Sequence, residues 1–475
     1  MTLTAFDNSY ARLPERFYAK LPPTPVSAPR LLKLNLALAR ELGLDPDVLA
    51  SPDGVAMLAG NRVAEGSEPI AMAYAGHQFG NFVPQLGDGR AVLLGEVVDS
   101  KGRRRDIQLK GSGPTPFSRN GDGRAALGPV LREYVISEAM YALGIPTTRS
   151  LAAVASGDFV YREAALPGAV LTRVASSHIR VGTFQFFAAR EDIEGLRLLA
   201  DHVIARHYPD AADYRALYDK VIARQAALVA RWLLVGFVHG VMNTDNMSIA
   251  GETIDYGPCA FMDSYHPETV FSSIDRMGRY AFGKQPQIAG WNLARLGEAL
   301  MPLFDADPEK ALAMANESLS RYGTLFGEHY LMGLRRKFGL FTEREEDSEL
   351  AKGFLKILMD NGLDHTNSFR KLSRGEMPDE DTDGWVAKYR ARLALEPQDA
   401  ATRQAAMLAV NPDYIPRNHR VEAALSAAIE NDDFSPFEEL LTVLAKPFEE
   451  RPDYAAYANP PDEDEARNYR TFCGT

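Results

Sequence analysis

An α+β chain of two lobes, strand-rich first and helical afterwards, is the fold class the sequence predicts. Three observations predict it. Arg90 to Val98 and Arg105 to Leu109 alternate apolar and polar residues around Asp99-Ser-Lys-Gly102, the pattern of a hairpin with a glycine-containing loop. Pro129 opens a helix that runs to about Leu143, where Gly144 and Pro146 stop it. From about Glu191 onward helical periodicity takes over, first at Leu199 to Arg206 and Tyr214 to Val235.

The other elements follow in chain order. Residues 1 to 30 carry Pro14, Pro22, Pro23, Pro25 and Pro29 among aromatic residues, so they are expected to form an ordered extended arm lying on a domain. Leu31 to Leu42, stopped by Gly43, reads as a short apolar helix. In the helix opened by Pro129, residues Val130, Tyr134 and Tyr141 are spaced for one buried face. Strand-like stretches follow at Ser150 to Val154, Phe159 to Glu163 and Ala169 to Val174, and several helices lie between Ala289 and the C-terminus. The acidic, proline-bearing run Asn459-Pro-Pro-Asp-Glu-Asp-Glu465 marks the start of a flexible tail. The expected division is 1–70 for the arm and first helix, 71–190 for the strand-rich lobe, 191–300 for the helical lobe, and 301–475 for a helical extension and tail.

Composition bounds the function. At 475 residues and 46% hydrophobic, the chain is globular, with length for about three domain-sized units. A formal charge of −12 and a pI near 5.4 argue against a general nucleic-acid binder. Arg103-Arg104-Arg105 is the local exception, and it reads as the cap of a solvated strand end. No apolar run approaches the ~20 residues needed to cross a membrane, and the best candidate, Ala226 to Val238, carries Arg231. Met1 to Lys20 has charges of both signs and no apolar signal region, so a cytoplasmic location is expected, with neither membrane nor nucleic acid as partner. The two cysteines, Cys259 and Cys473, exclude a disulfide scaffold and a cysteine-rich zinc site.

The chemistry concentrates in His239-Gly-Val-Met-Asn-Thr-Asp-Asn246 and Asp255-Tyr-Gly257, which resemble a protein-kinase catalytic loop and metal motif. The kinase pattern places its proton-accepting Asp where this chain has Val241, yet the metal positions survive as Asn246 and Asp255. Asp245 is the carboxylate of the loop able to act as a base, and it is expected to be exposed by the loop's geometry. His239 reads as packed scaffold and Asn243 as a residue that shapes the turn. Between the metal positions, Met247 to Ile254 reads as two short strands joined at Ala250-Gly-Glu252, a hairpin that would bring two oxygen ligands together as magnesium requires.

Upstream, Lys110 ends a strand and precedes Gly111-Ser-Gly113, while Glu133 lies inside the following helix, the arrangement of a phosphate-binding Lys and its carboxylate partner. Gly87-Asp-Gly89-Arg90 precedes a strand, a turn that lets backbone N–H groups approach phosphate oxygens, although such turns are most often structural. Arg173 and Arg180 can add guanidinium groups for phosphate, and Arg119 and Arg124 flank a second close-approach loop, Gly121-Asp122-Gly123. A strand lobe with one helix, then a helical lobe, completes a kinase-like order.

These residues resemble the selenoprotein O family of kinase-like protein adenylyltransferases. The resemblance runs along almost the whole chain, through Asn8-Ser-Tyr-Ala-Arg-Leu-Pro14, Ala73-Tyr-Ala-Gly-His-Gln-Phe-Gly80, Gln85-Leu-Gly-Asp-Gly-Arg90, Leu109-Lys-Gly-Ser-Gly-Pro-Thr-Pro116, Gly144-Ile-Pro-Thr-Thr-Arg149, and the loop ending in Asp255-Tyr-Gly-Pro258. It implies a two-lobed kinase-like fold with an N-terminal arm and a helical C-terminal extension. It further implies transfer of AMP from ATP to Ser, Thr or Tyr hydroxyls of proteins, with the nucleotide reversed relative to ordinary kinases. Carried onto matching positions, Gly87, Gly89, Arg90, Lys110, Asp122, Gly123, Arg173, Arg180 and Asp255 bind nucleotide. Asn246 and Asp255 bind magnesium, with manganese as the alternative, Asp245 accepts the proton and Glu133 holds Lys110. Many members carry selenocysteine where this chain has Cys473, which makes a reversible Cys259–Cys473 disulfide an expectation. A phosphotransferase and a non-catalytic nucleotide-binding scaffold stand as alternatives at this point.

Overall fold

The computed structural model describes residues 5–379, 384–462 and 469–472. The strands are β1 (Tyr18–Lys20), β2 (Arg30–Leu34), β3 (Ile70–Met72), β4 (Gly76–Gln78), β5 (Asn81–Val83), β6 (Ala91–Val98), β7 (Arg104–Lys110), β8 (Ala125–Ala126), β9 (Arg149–Tyr161), β10 (Ala165–Ala175), β11 (Phe237–Val238) and β12 (Ala260–Phe261). The first eight helices are α1 (Leu36–Glu41), α2 (Pro46–Ala50), α3 (Pro52–Leu58), α4 (Leu127–Ala142), α5 (Val181–Ala188), α6 (Ile193–His207), α7 (Tyr214–Leu234) and α8 (Gln285–Phe304), and further helices continue to Leu444.

The strand lobe is one antiparallel sheet in the order β1-β3-β6-β7-β10-β9-β2, with β8 paired to β10. The expected hairpin forms between β6 and β7. Its turn is held by the Asp99 carboxylate, which accepts from the backbone N–H groups of Lys101 and Arg103, each at 2.9 Å. Arg103 and Arg105 also close on Asp99, at 2.9 and 3.3 Å, and Arg104 closes on Asp7 at 2.5 Å, so each arginine of the run has a carboxylate at the end of the hairpin. Both sheet faces are covered. Leu38, Leu42, Leu49 and Leu58 from α1 to α3 pack on one face against Leu94, Ile107, Leu109 and Val154, whereas α4 covers the other through Val130, Leu131 and Tyr134. The larger core continues without a break into the helical lobe.

The N-terminal arm is strapped to β6 by a buried carboxylate. Glu96 accepts from the Tyr10 backbone N–H at 2.6 Å and from the Ser9 hydroxyl at 2.5 Å, while Arg206 supplies its counter-charge at 3.0 Å. The run that begins at Asn8 therefore has a structural use: Asn8 accepts from the Glu96 N–H at 3.2 Å.

Several elements differ from the sequence reading. Leu31–Leu34 is not helical but pairs with β9 at the sheet edge, and the helix starts only after Asn35, whose side chain accepts from the Leu38 N–H. An apolar run this short satisfies either period, and the free edge of β9 decided it. The stretches at Ser150 and Phe159 are one strand, bent at Gly157, which sits at φ 78°. The segment between Asn246 and Asp255 is no hairpin: Ser248 bridges Arg180 and Thr253 bridges Thr147, so each half pairs outward with the strand lobe. The start of the chain's last segment, in the acidic run, falls partly outside the described residues. Its described end is docked, because Thr471 bridges Ser272 and its hydroxyl donates to the Pro258 carbonyl at 2.8 Å. Among the described residues no helix is long and apolar enough to cross a membrane.

Candidate active site

A cavity of about 470 Å³ opens between the two lobes. Gly87, Gly89, Arg90, Lys110, Asp122, Gly123, Arg173, Arg180, Asp245, Asn246 and Asp255 all line it, so every predicted nucleotide, metal and catalytic residue converges there. The strand register explains the upper wall: Lys110 stands opposite Ala91 on β6 and Leu171 on β10. Gly87 sits at φ 104°, and a Cβ there would run into the Phe117 ring, which allows the loop at 117 to 124 to close over the turn.

Glu133, on α4, lies behind the cavity wall. Lys110 donates to its Oε2 at 2.5 Å, and Arg173 grips the same carboxylate through Nε and Nη2. Burial raises the Glu133 pKa, but Arg173 and Lys110 outweigh it and hold the carboxyl below its usual range. Burial lowers the Lys110 pKa, and Arg173 pushes the same way, so that it falls to about 8. Two helices of the extension, Asn418–Asn431 and Ser435–Leu444, pack against α4 and brace this ion pair from outside.

Below it, Asp255 takes Arg173 at 2.7 Å and Arg180 at 3.2 Å. Burial opposes its charge, but Arg173, Arg180 and Lys110 overcome that and hold the carboxyl far below its usual range. Its backbone is left-handed at φ 57°, uncommon for a residue other than glycine. Asn246 donates from Nδ2 to the Val241 carbonyl at 3.0 Å, which fixes the amide and leaves its oxygen without a described partner. Two hard oxygen donors on one cavity wall suit magnesium, with phosphate oxygens and water to complete its octahedron. Among the described residues there is no group of three or more His, Cys, Asp or Glu that could hold a metal without such help.

His239 is the scaffold expected. Its Nε2 faces the Ile254 carbonyl at 2.9 Å and burial lowers its pKa, so it stays neutral and ties the loop to the metal motif. Asn243 shapes the turn by accepting from the Phe79 N–H and the Tyr280 hydroxyl. Asp245 is the correction. It is 8% exposed, not open, because β4 lies on it: Gln78 donates to Oδ2 at 3.1 Å and a Cβ on Gly76 would sit 2.8 Å from Oδ1. Burial raises its carboxyl to about 6, against the Gln78 hydrogen bond that lowers it.

Sequence reasoning missed Asp88, Tyr74 and Gln78. Asp88 is buried under Arg180 at 3.4 Å, and Tyr74 presents its ring to the same guanidinium at 4.4 Å. Asp88 stands within the Gly87-Gly89 turn and could have been found there; Tyr74 and Gln78 stand in the run Ala73 to Gly80, which carries the family resemblance but suggested no role for either. Arg119 and Arg124 do line the cavity. Cys259 is a buried free thiol, pushed up to about 12 by burial, and Cys473 lies outside the described residues.

A strand lobe over a helical lobe, a strand lysine paired to a helix glutamate, and an Asn–Asp pair below them define a protein-kinase-like α+β fold with a nucleotide cleft. The chain belongs to the SelO family of protein adenylyltransferases, whose family model matches residues 1–445. It is 63% identical to proteins named protein nucleotidyltransferase YdiU from Bradyrhizobium diazoefficiens and Rhodopseudomonas palustris, over 99% of this chain and 99% of each relative. A namesake from Methylorubrum populi is also 63% identical, over 100% of this chain and 99% of its own length. Among solved structures, a Toxoplasma gondii virulence factor with a protein-kinase fold and no enzymatic activity aligns at 11% identity and a TM-score of 0.27, covering 78% of this chain and 96% of its own; so loose an overlap carries no argument.

Proposed function

We propose that the chain transfers AMP from ATP to Ser, Thr or Tyr hydroxyls of proteins and releases pyrophosphate. The observation that carries the reading is the cation set at the inner end of the cleft, Lys110, Arg173 and Arg180, facing a catalytic loop that has Val241 in the kinase base position and a carboxylate at Asp245. Drawn inward onto those cations, the triphosphate tail leaves its α-phosphorus outermost. The acceptor oxygen then bonds to that phosphorus, the bond to the pyrophosphate oxygen breaks, and the hydroxyl proton passes to Asp245. Fixed cations around the departing pyrophosphate stabilise the charge that develops there. A carboxyl with a pKa of about 6 is mostly ionised at neutral pH and basic enough to help. Magnesium held by Asn246 and Asp255, or manganese in its place, would screen the phosphate oxygens.

ATP labelled at the α- or γ-phosphate tests this directly. Adenylyl transfer leaves α label on protein, whereas γ label alone would make the chain a phosphotransferase and neither label a nucleotide-binding scaffold. A cytoplasmic location accords with the use of ATP and with the two-cysteine composition.

A further inference from the structure

The hairpin of β4 and β5 holds the catalytic loop by three hydrogen bonds in succession. The His77 N–H donates to the Thr244 hydroxyl at 2.7 Å, Gln78 to Asp245 at 3.1 Å, and the Phe79 N–H to Asn243 at 3.0 Å. Its tip continues onto a neighbouring loop. The Phe79 ring meets Tyr280 at 5.2 Å, and Gly80 abuts the Arg279 guanidinium, to which an added Cβ would lie 3.7 Å away. A continuous surface therefore runs from Asp245 out of the cleft to Arg279.

That surface is basic, on a chain whose formal charge is −12. Arg279 lies over the Trp291 ring at 4.9 Å and beside Tyr280, with which its side chain hydrogen-bonds, and it makes no ion pair with a described carboxylate. Arg276, exposed beside it, makes none either. The nearby acids are already taken. Asp275 accepts from the backbone N–H groups of Arg279 and Tyr280 at 2.8 and 2.7 Å, Glu268 faces Lys284 at 3.5 Å, and Glu298 faces Arg295 at 2.5 Å. Two large apolar side chains stand among these arginines: Met277 is 88% exposed, and Ile274, 51% exposed, lines the cavity itself.

We propose that this rim docks the protein acceptor and selects a hydroxyl residue within an acidic segment that also carries an apolar side chain. Arginines that pair with no described carboxylate gain charge-assisted hydrogen bonds from an incoming one, whereas a basic segment would meet like charge. Arginine and tryptophan dominate the energetics of interfaces, and an exposed methionine adapts to varied apolar partners. The inference rests on the adenylyltransferase reading, which requires a protein acceptor, and it adds which proteins qualify.

The test uses the full chain and three serine peptides identical except for flanking Glu, Gln or Lys, with α-labelled ATP and, separately, fluorescence anisotropy for binding. The Glu peptide should exceed the Lys peptide in kcat/KM by about tenfold or more, the equivalent of ~1.4 kcal/mol, and added salt should narrow the gap. Arg276→Glu/Arg279→Glu should reverse the order, and the single Arg276→Glu, at an exposed position, should reduce it without loss of ATP affinity. Equal binding of all three peptides, or a preference that survives the double reversal, overturns the docking surface. A Glu peptide that binds selectively but acquires no α label keeps the docking surface and overturns the activity.

Discussion

Lys110 donates to Glu133 at 2.5 Å in a buried pair, and the same carboxylate neutralises Arg173. One helix residue therefore holds two of the cations assigned to the triphosphate. Removing one member of a buried ion pair leaves the other's charge uncompensated, at a cost of about 3–5 kcal/mol. Glu133→Ala is expected to lower the unfolding midpoint by several degrees and to reduce adenylyl transfer more than ATP affinity. A thermal melt equal to that of the parent protein would show that Glu133 does not carry this load.

Asp255 and Asp245 separate two roles by experiment. Asp255→Ala removes the proposed magnesium ligand together with the partner of Arg173 and Arg180, and transfer of α label should be abolished. Asp245→Asn keeps the shape and the Gln78 contact but cannot take a proton, so kcat should drop by about 10²–10⁴ with ATP affinity little changed. Unimpaired turnover by Asp245→Asn would remove it from catalysis.

Much of this cleft was readable because its parts are local. A lysine at a strand end, a glutamate in the next helix, and an Asn and Asp around one loop keep their chemistry wherever the lobes fall. What was unreadable depends on approach through space. Asp245 looked open from the geometry expected of its loop, yet β4, far upstream, seats Gly76 and Gln78 on it. Leu31–Leu34 joined the sheet because β9 offered an unpaired edge, which no pattern within the run could reveal. The outward bridges of Ser248 and Thr253 were likewise set by Arg180 and Thr147.

Thr471, two residues before Cys473, donates to the carbonyl of Pro258, the neighbour of Cys259. A Cys259–Cys473 bond would tie the chain end to the metal motif. Non-reducing peptide mass analysis after mild oxidation should find the linked pair, and Cys473→Ser should leave the reduced enzyme fully active. No linked peptide after oxidation would end the idea. Because burial pushes the Cys259 thiol up to about 12, Cys473 is expected to attack the added disulfide first and release one reagent thiolate, after which the Cys259 sulfur displaces the second from Cys473 to close the bond.

Stability in the C-terminal extension is expected to depend on one buried lysine. Lys337 is 3% exposed, lies over the Phe369 ring at 4.2 Å, and has no carboxylate partner among the described residues. Burial lowers its pKa from 10.5 to about 7. Between these values the unfolded chain holds a proton that the folded chain lacks, so unfolding takes up protons and stability rises with pH across the window. Below about pH 7 both states carry the proton and the group's contribution is constant, at its least favourable. Lys337→Met keeps the volume and removes the charge, so it should raise the unfolding midpoint at pH 7 by several degrees and flatten its rise between pH 7 and 10. Midpoints measured across that range for both proteins check the sign: parallel curves for parent and variant would mean that Lys337 keeps its proton in the fold, with the cation–π contact to Phe369 as its means of doing so.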